Sequence, residues 1–201
     1  MITMKDIIRE GNPLLKQKAV DVNIPLSNED EKLIIEMMEY VYNSVDEEMM
    51  EKYDLRPAVG LAAPQLGILK KMIAIVAPDE KGVEHEFAII NPRLLSYSDE
   101  LTYLEGGEGC LSVDRKCDAL IHRPKRVSFD AISIVINPVT QTDVVDENNA
   151  STKGNHLPST FEIGKHSKNA PISINAIKLS KIYFAGVILN ILLAFKFIFI
   201  Y

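Results

Sequence analysis

The sequence predicts an α+β fold in which an N-terminal helix packs on short, mostly antiparallel strands, with an atypical C-terminal tail. Two observations favour this fold class. One long stretch with helical periodicity lies near the start of the chain, and several short segments rich in β-forming residues follow it. The length of 201 residues suits one domain with an appendage.

The helix is predicted in PLSNEDEKLIIEMMEYVYNSVDEEMMEKY, residues 25–53. Ser27 is the expected N-cap, and Glu29 and Asp30 lie in the first turn, where the helix dipole favours negative charge. Apolar side chains recur at helical spacing, and acidic residues occupy the other face. The apolar set is Leu33, Ile34, Met37, Met38, Val41 and Val45. We therefore expect this helix to pack on the core.

Short strands are predicted on the C-terminal side of the helix. Residues 72–76 and 87–90 are rich in β-forming side chains, and Pro78 and Pro92 close these two segments. The segment LIHRPKRVSFDAISIVI, residues 120–136, alternates enough for one or two further strands. Before the helix, IIREGNPLLKQKA predicts a short extended piece and then a turn at residues 11–13.

Composition changes after the predicted strands. Residues 1–136 form the predicted domain, residues 137–181 are a polar loop or disordered segment, and residues 182–201 form an apolar C-terminal segment. Only Asn190 and Lys196 interrupt this last segment, which is long enough to cross a bilayer. The segment is a candidate membrane anchor, and Lys178 and Lys181 just before it favour a cytoplasmic location for its N-terminal end. Alternatively, it is the product of a frameshift or gene fusion near Asp130.

Charge and cysteine content restrict the classes of partner and compartment. The formal net charge is −6, so nucleic acid is not expected as a partner. The N-terminus is charged from position 5 and contains no apolar core of a signal peptide. Cys110 and Cys117, separated by six residues, form neither a zinc-ribbon spacing nor a disulfide framework. A cytoplasmic location is therefore expected for the domain.

The stretch GLAAPQ, residues 60–65, can place a hydrogen-bond donor beside open backbone. Gly60 allows another chain to approach the backbone closely, because it has no side chain. Gln65 offers a neutral amide that can stabilise an oxyanion without introducing a titratable group. Taken alone, a tight turn with a solvated Gln is the simpler interpretation.

The stretch EGCLSV, residues 108–113, places Cys110 in a glycine-rich loop. The thiol can be a metal ligand, a nucleophile or a buried packing group, and the Leu111 N–H lies next to it in the chain. Cys117 lies among charged residues, which is typical of a surface thiol.

The ordered pair GLAAPQ and EGCLS resembles the first and second signature motifs of peptide deformylases. The resemblance also includes MITMKDIIREGNPLL, the acidic helix and HRPKRV, so it covers residues 1–130, and it is similar to the longer deformylases of Gram-positive bacteria. Deformylases remove the N-formyl group from the initiator methionine of nascent chains. The implied partners are N-formylmethionyl nascent peptides and, through this role, the ribosome.

The resemblance implies a role for each matching residue. Cys110 becomes the thiolate ligand of a divalent metal, with Fe2+ expected and Zn2+ or Ni2+ as alternatives. Gln65 and the Leu111 N–H hold the oxyanion of the formyl group. Gly60 lines the groove in which the peptide lies as an added strand.

The third motif of the family, His-Glu-x-x-His, is not in the sequence. It supplies two metal ligands on one helix face and the general base. No two of the four histidines are four residues apart; His156 is the nearest candidate for a second ligand, but Thr152 and Lys153 stand where the other two motif residues belong. We therefore expect a deformylase-like metal hydrolase with impaired activity. The alternatives are an inactive, membrane-tethered peptide-binding relative and a hydrolase with Cys110 as nucleophile.

Overall fold

The structure is a computed structural model and describes residues 1–78, 82–115, 120–138 and 172–185. Its helices are α1 (Asn28–Asn43) and α2 (Glu47–Tyr53), and 3-10 helices occur at Pro13–Lys16 and Ala63–Leu66. Its strands are β1 (Gly60–Ala62), β2 (Met72–Pro78), β3 (Glu84–Tyr97), β4 (Leu101–Thr102), β5 (Arg123–Pro124), β6 (Arg126–Pro138) and β7 (Ile172–Ala185).

The strands form two antiparallel sheets, which confirms the predicted α+β class. Five strands pair in the order β1-β2-β3-β6-β7, and β4 pairs separately with β5. Helix α1 packs on β1 and β2 through Met37 and Val41, which share one core cluster with Met72 and Ala74. Successive side chains of a strand point to opposite faces, yet every residue of β2 except Pro78 is buried. Strand β2 is therefore covered on both faces.

The single predicted helix is two helices. Helix α1 ends at Asn43, and the Ser44 hydroxyl donates to the Val41 carbonyl at 2.8 Å and accepts from the Ala58 N–H at 3.1 Å. The Asp46 side chain then caps α2. Short polar side chains compete with the helical backbone for hydrogen bonds, so they end one helix and start another.

The predicted strands lie within longer ones. Residues 72–76 belong to β2, residues 87–90 to β3, and the segment 120–136 contributes β5 and β6. Strand β7 crosses the predicted boundary between a polar loop and an apolar segment at residue 182. Its sequence begins Ile-Ser-Ile-Asn, and this alternation of apolar and polar residues is typical of strands. The strand was not predicted because the surrounding residues are mostly polar.

Residues 139–171 and 186–201 lie outside the described ranges. They contain most of the predicted polar segment and of the candidate membrane anchor, so the domain boundaries stay a prediction. Within the described ranges, no helix has the length and apolar character needed to span a membrane.

The start of α1 is joined to the segment before β2 through a buried carboxylate. Asp30 accepts a hydrogen bond from the Ser27 hydroxyl at 2.9 Å and forms an ion pair with Lys70, while its own N–H donates to Ser27 and confirms the predicted cap. Burial acts to raise the pKa of Asp30, but the bonds from Lys70 and Ser27 outweigh burial and lower the pKa. The carboxylate therefore stabilises the folded state above its unfolded-state pKa, and this stability is lost as pH falls through the lower folded pKa.

We expect Asp30→Asn to unfold more readily than the wild type at pH 7 by about 1–2 kcal/mol, because a charge-assisted hydrogen bond is lost. The difference should shrink when the pH is taken below the lowered folded-state pKa of Asp30, where the wild-type carboxyl becomes protonated as well. Urea unfolding at both pH values measures it. Asp21→Asn is the matched control, since Asp21 is 71% exposed in its ion pair with Lys71. An equal difference at both pH values would contradict the prediction.

Candidate active site

The side-chain amide of Gln65 is oriented by the backbone of its own turn. Gln65 lies in the 3-10 helix after β1 and is 3% exposed. Its Oε1 accepts a hydrogen bond from the Ala62 N–H at 2.9 Å. Because the oxygen of the amide is held in this way, its Nε2 faces the other direction, towards the Cys110 Sγ at 3.8 Å. The buried amide thus presents N–H donors beside the thiol.

Cys110 and Leu111 belong to the loop that follows β4. The Cys110 side chain is exposed and its thiol is free, whereas Leu111 is 5% exposed and packs in the core cluster. The Cys110 carbonyl accepts from the Val113 N–H at 3.1 Å. Within the described part of the chain, the Leu111 N–H has no hydrogen-bond acceptor. This loop therefore combines an accessible thiol with an available backbone donor.

A buried ion pair fixes the start of the same loop. Arg123 donates from Nε to Glu108 Oε1 at 2.7 Å and from Nη2 to Glu108 Oε2 at 2.6 Å. Their side chains are only 12% and 9% exposed. The fork geometry of the guanidinium matches both carboxylate oxygens, so the pair restrains position as well as distance. Glu108 is two residues before Cys110, and the pair joins this loop to β5.

Gly60 lies on β1, the first strand of the five-stranded sheet. It pairs with Ile75 of β2, and β1 has no strand on its other side among the described residues. A peptide in extended conformation can add to such an edge through backbone hydrogen bonds. The turn after β1 brings Gln65 next to this edge, so open backbone and the amide donor lie within one short segment.

The described residues do not fit a resident metal ion. They contain no group of three His, Cys, Asp or Glu side chains that could bind one. Both carboxylate oxygens of Glu108 are engaged by Arg123. His85 stacks on Phe87, and the His122 ring packs edge-on against Tyr103. His156, the nearest candidate for a second ligand, lies outside the described ranges, and Cys110 as a metal ligand stays a prediction.

The structure brings together two residues that the sequence placed in separate motifs, Gln65 and Cys110. The Glu108–Arg123 pair was not predicted from the sequence. A Glu flanked by glycines and an Arg before proline were visible signals, but charged residues in loops are usually solvated. Only the fold shows that these two side chains are buried against each other.

Comparisons with known proteins agree on one family. A sequence profile described as "Polypeptide deformylase" matches residues 4–147. The chain is 52% identical over 134 residues to peptide deformylase 2 of Bacillus cereus, which covers 67% of this chain and 73% of the relative. It is 50% identical over 133 residues to the peptide deformylase of Halalkalibacterium halodurans, covering 66% and 73%.

Solved structures share the fold. A probable peptide deformylase from Synechococcus phage S-SSM7 superposes with a TM-score of 0.54 at 21% identity, covering 93% of this chain and 88% of the other. A class I type b peptide deformylase from Acinetobacter baumannii gives a TM-score of 0.52 at 19% identity, covering 96% and 90%. At these identities the likeness supports the fold alone.

Proposed function

The chain belongs to the polypeptide deformylase family of hydrolases, and from this premise we propose that the site formed by Gln65, Cys110 and Leu111 recognises the N-formylmethionyl end of nascent peptides. The observation that carries the proposal is the distance of 3.8 Å between the Gln65 amide nitrogen and the Cys110 sulfur. It brings the two motif loops to one place. Each loop then contributes a donor there, the Gln65 amide and the Leu111 N–H.

These two donors suit a formyl oxygen. A carbonyl gains negative charge on its oxygen when a nucleophile attacks, and fixed N–H donors stabilise that charge best where water is excluded. Gln65 is almost fully buried, so its amide is held in place before a substrate arrives. The peptide beyond the formyl group extends along the free edge of β1 at Gly60.

Hydrolysis also needs a base for the attacking water, and we propose that this chain is impaired in that step. Deformylases are metal-dependent, with Fe2+ the expected ion and Cys110 its expected ligand. The sequence has no His-Glu-x-x-His segment, and the described residues hold no cluster able to bind a metal. Loss of a general base alone lowers rates by about 10²–10⁴-fold.

A second candidate is a relative that binds peptides without cleaving them and is tethered to a membrane. The free edge of β1 and the missing motif favour binding without cleavage. The tether depends on residues 182–201, whose first four residues belong to β7 and whose remainder lies outside the described ranges. Cell fractionation distinguishes the cytoplasmic enzyme from the membrane-tethered relative, because only the tethered form sediments with the membranes.

The test measures binding and turnover on the same preparation. We expect the purified chain to bind a formyl-Met-Ala-Ser peptide in calorimetry and to release formate no faster than background when Fe2+ or Ni2+ is supplied. The B. cereus relative, assayed alongside, is the positive control for the assay. Rapid formate release that Cys110→Ala abolishes would contradict the impairment, and no binding of the formylated peptide would contradict recognition.

A further inference from the structure

Three consecutive residues near the start of the chain bond to both motif loops. The Ile8 N–H donates to the Gln65 carbonyl at 2.8 Å, and the Glu10 N–H donates to the Ser112 carbonyl at 2.7 Å. Between them, the Arg9 guanidinium donates to the Leu111 carbonyl. We call residues 8–10 the N-terminal strap. It joins the loop of Gln65 to the loop of Leu111, although the two lie far apart in sequence.

Arg9 makes the contact nearest to the proposed chemistry. Its Nη1 donates to Leu111 O and lies 3.4 Å from Asp114 Oδ1, and its Nη2 donates to Met4 O at 3.3 Å. Arg56 binds the same carboxylate at 2.9 Å. The Arg9 guanidinium thus contacts two carbonyl oxygens and one carboxylate, and these contacts fix the direction of its hydrogen bond to the Leu111 carbonyl. A lysine has one nitrogen and cannot make this set of contacts at once.

The Leu111 carbonyl shares a planar peptide unit with the Ser112 N–H, whereas the Leu111 N–H shares one with the Cys110 carbonyl, so only the φ and ψ torsions of Leu111 separate the two units. The Val113 N–H bonds to Cys110 O and closes the turn that contains Leu111. Fixing the carbonyl of Leu111 on one side of this turn therefore restrains the direction of its N–H on the other. The N–H is the donor assigned to the formyl oxygen.

From these contacts we infer that Arg9 is a positioning residue, which acts through the Leu111 peptide to aim its N–H at the formyl oxygen. The inference rests on the proposed function for its substrate, a formylated peptide end. Arg9 itself touches no substrate atom in this role. Its contribution is to keep the Leu111 donor and the Gln65 amide directed at one point, since Ile8 in the same strap holds the backbone of Gln65.

The test compares formyl-Met-Ala-Ser with the same peptide bearing a free amine. We expect Arg9→Ala to weaken binding of the formylated peptide about tenfold, the worth of one hydrogen bond, and to leave the free-amine peptide within about twofold. Arg9→Lys should fall between the wild type and Arg9→Ala, because it retains the charge but carries its donors on a single nitrogen. Arg93→Ala is the matched control, since Arg93 forms an exposed ion pair with Asp130 on another part of the sheet.

Three outcomes decide the inference. Selective loss of the formylated peptide supports it, whereas equal loss of both peptides shows a merely structural role and overturns it. If the wild type does not prefer the formylated peptide, the proposed function fails. Amide hydrogen exchange then tests separately whether Arg9 holds the Leu111 loop in place. Faster exchange at Glu10 and Val113 in the Arg9 variants than in Arg93→Ala then supports the strap, and unchanged exchange overturns it. Should Arg9→Ala not fold, Arg9→Lys carries both measurements.

Discussion

Replacing Arg123 by alanine is expected to destabilise the protein by about 3–5 kcal/mol, because it leaves a buried carboxylate without its counter-charge. Arg123 makes two hydrogen bonds of 2.7 and 2.6 Å to Glu108, and the two side chains are 12% and 9% exposed. Water can therefore replace little of what the guanidinium supplies. Urea unfolding at neutral pH measures the difference in free energy. The Cys110 loop, which begins beside Glu108, should also exchange its amide hydrogens faster.

Two control variants separate the burial of charge from simple loss of a side chain. The double substitution Glu108→Gln with Arg123→Met removes both charges while keeping similar volumes, so we expect it to lose less stability than Arg123→Ala alone. Arg93→Ala removes an arginine from an exposed pair, which is worth about 0–1 kcal/mol. The prediction is wrong if Arg123→Ala costs no more than Arg93→Ala.

The substitution Gln65→Glu is expected to weaken binding of formyl-Met-Ala-Ser by roughly 10–100-fold at neutral pH, because a buried donor to the formyl oxygen is replaced by a second acceptor. The glutamate retains an oxygen for the Ala62 N–H, which the Gln65 Oε1 bonds at 2.9 Å, so the turn itself should persist. What changes is the group that faces Cys110, where a carboxylate oxygen takes the place of an amide N–H.

The same variant has a pH signature. Burial raises the pKa of a carboxyl group, and its protonated form has an O–H that can donate to the formyl oxygen. Binding by Gln65→Glu should therefore recover as pH falls, whereas the wild-type amide does not titrate. Gln65→Leu, which lacks both the donor and the acceptor, should not recover. Weak binding at every pH in the Glu variant would count against a donor role for position 65.

Local patterns predicted the elements that depend on local physics. The Ser27 cap and the apolar spacing of α1 were visible in the sequence, because capping and amphipathic periodicity involve neighbours within two turns. The break after Asn43 was not predicted, since the Ser44 hydroxyl finds part of its bonding at Ala58, beyond the helix. Strand β7 was not predicted, because most of the residues around its alternating apolar and polar side chains are polar.

The candidate site divides in the same way. The motif resemblance implied that Gln65 and Cys110 belong to one site, as oxyanion donor and metal ligand; the structure places the Gln65 amide nitrogen 3.8 Å from the Cys110 sulfur, and the two roles stay predictions. Neither the Glu108–Arg123 pair nor the contact of Arg9 with Leu111 could be predicted, because burial and partner choice depend on which segments meet in three dimensions. Charged side chains follow no short-range rule that shows whether they face water or each other.

The N-terminal strap also bears on how quickly the site can assemble. Arg9 and Leu111 are 102 residues apart in sequence, and the Arg115–Glu10 pair spans 105. Closing loops of this length is entropically costly, so contacts of high sequence separation slow folding relative to local ones. During synthesis, the first ten residues cannot form these contacts until most of the domain has left the ribosome. The candidate site is therefore expected to be among the last parts of the molecule to form, after α1 and strands β2 and β3.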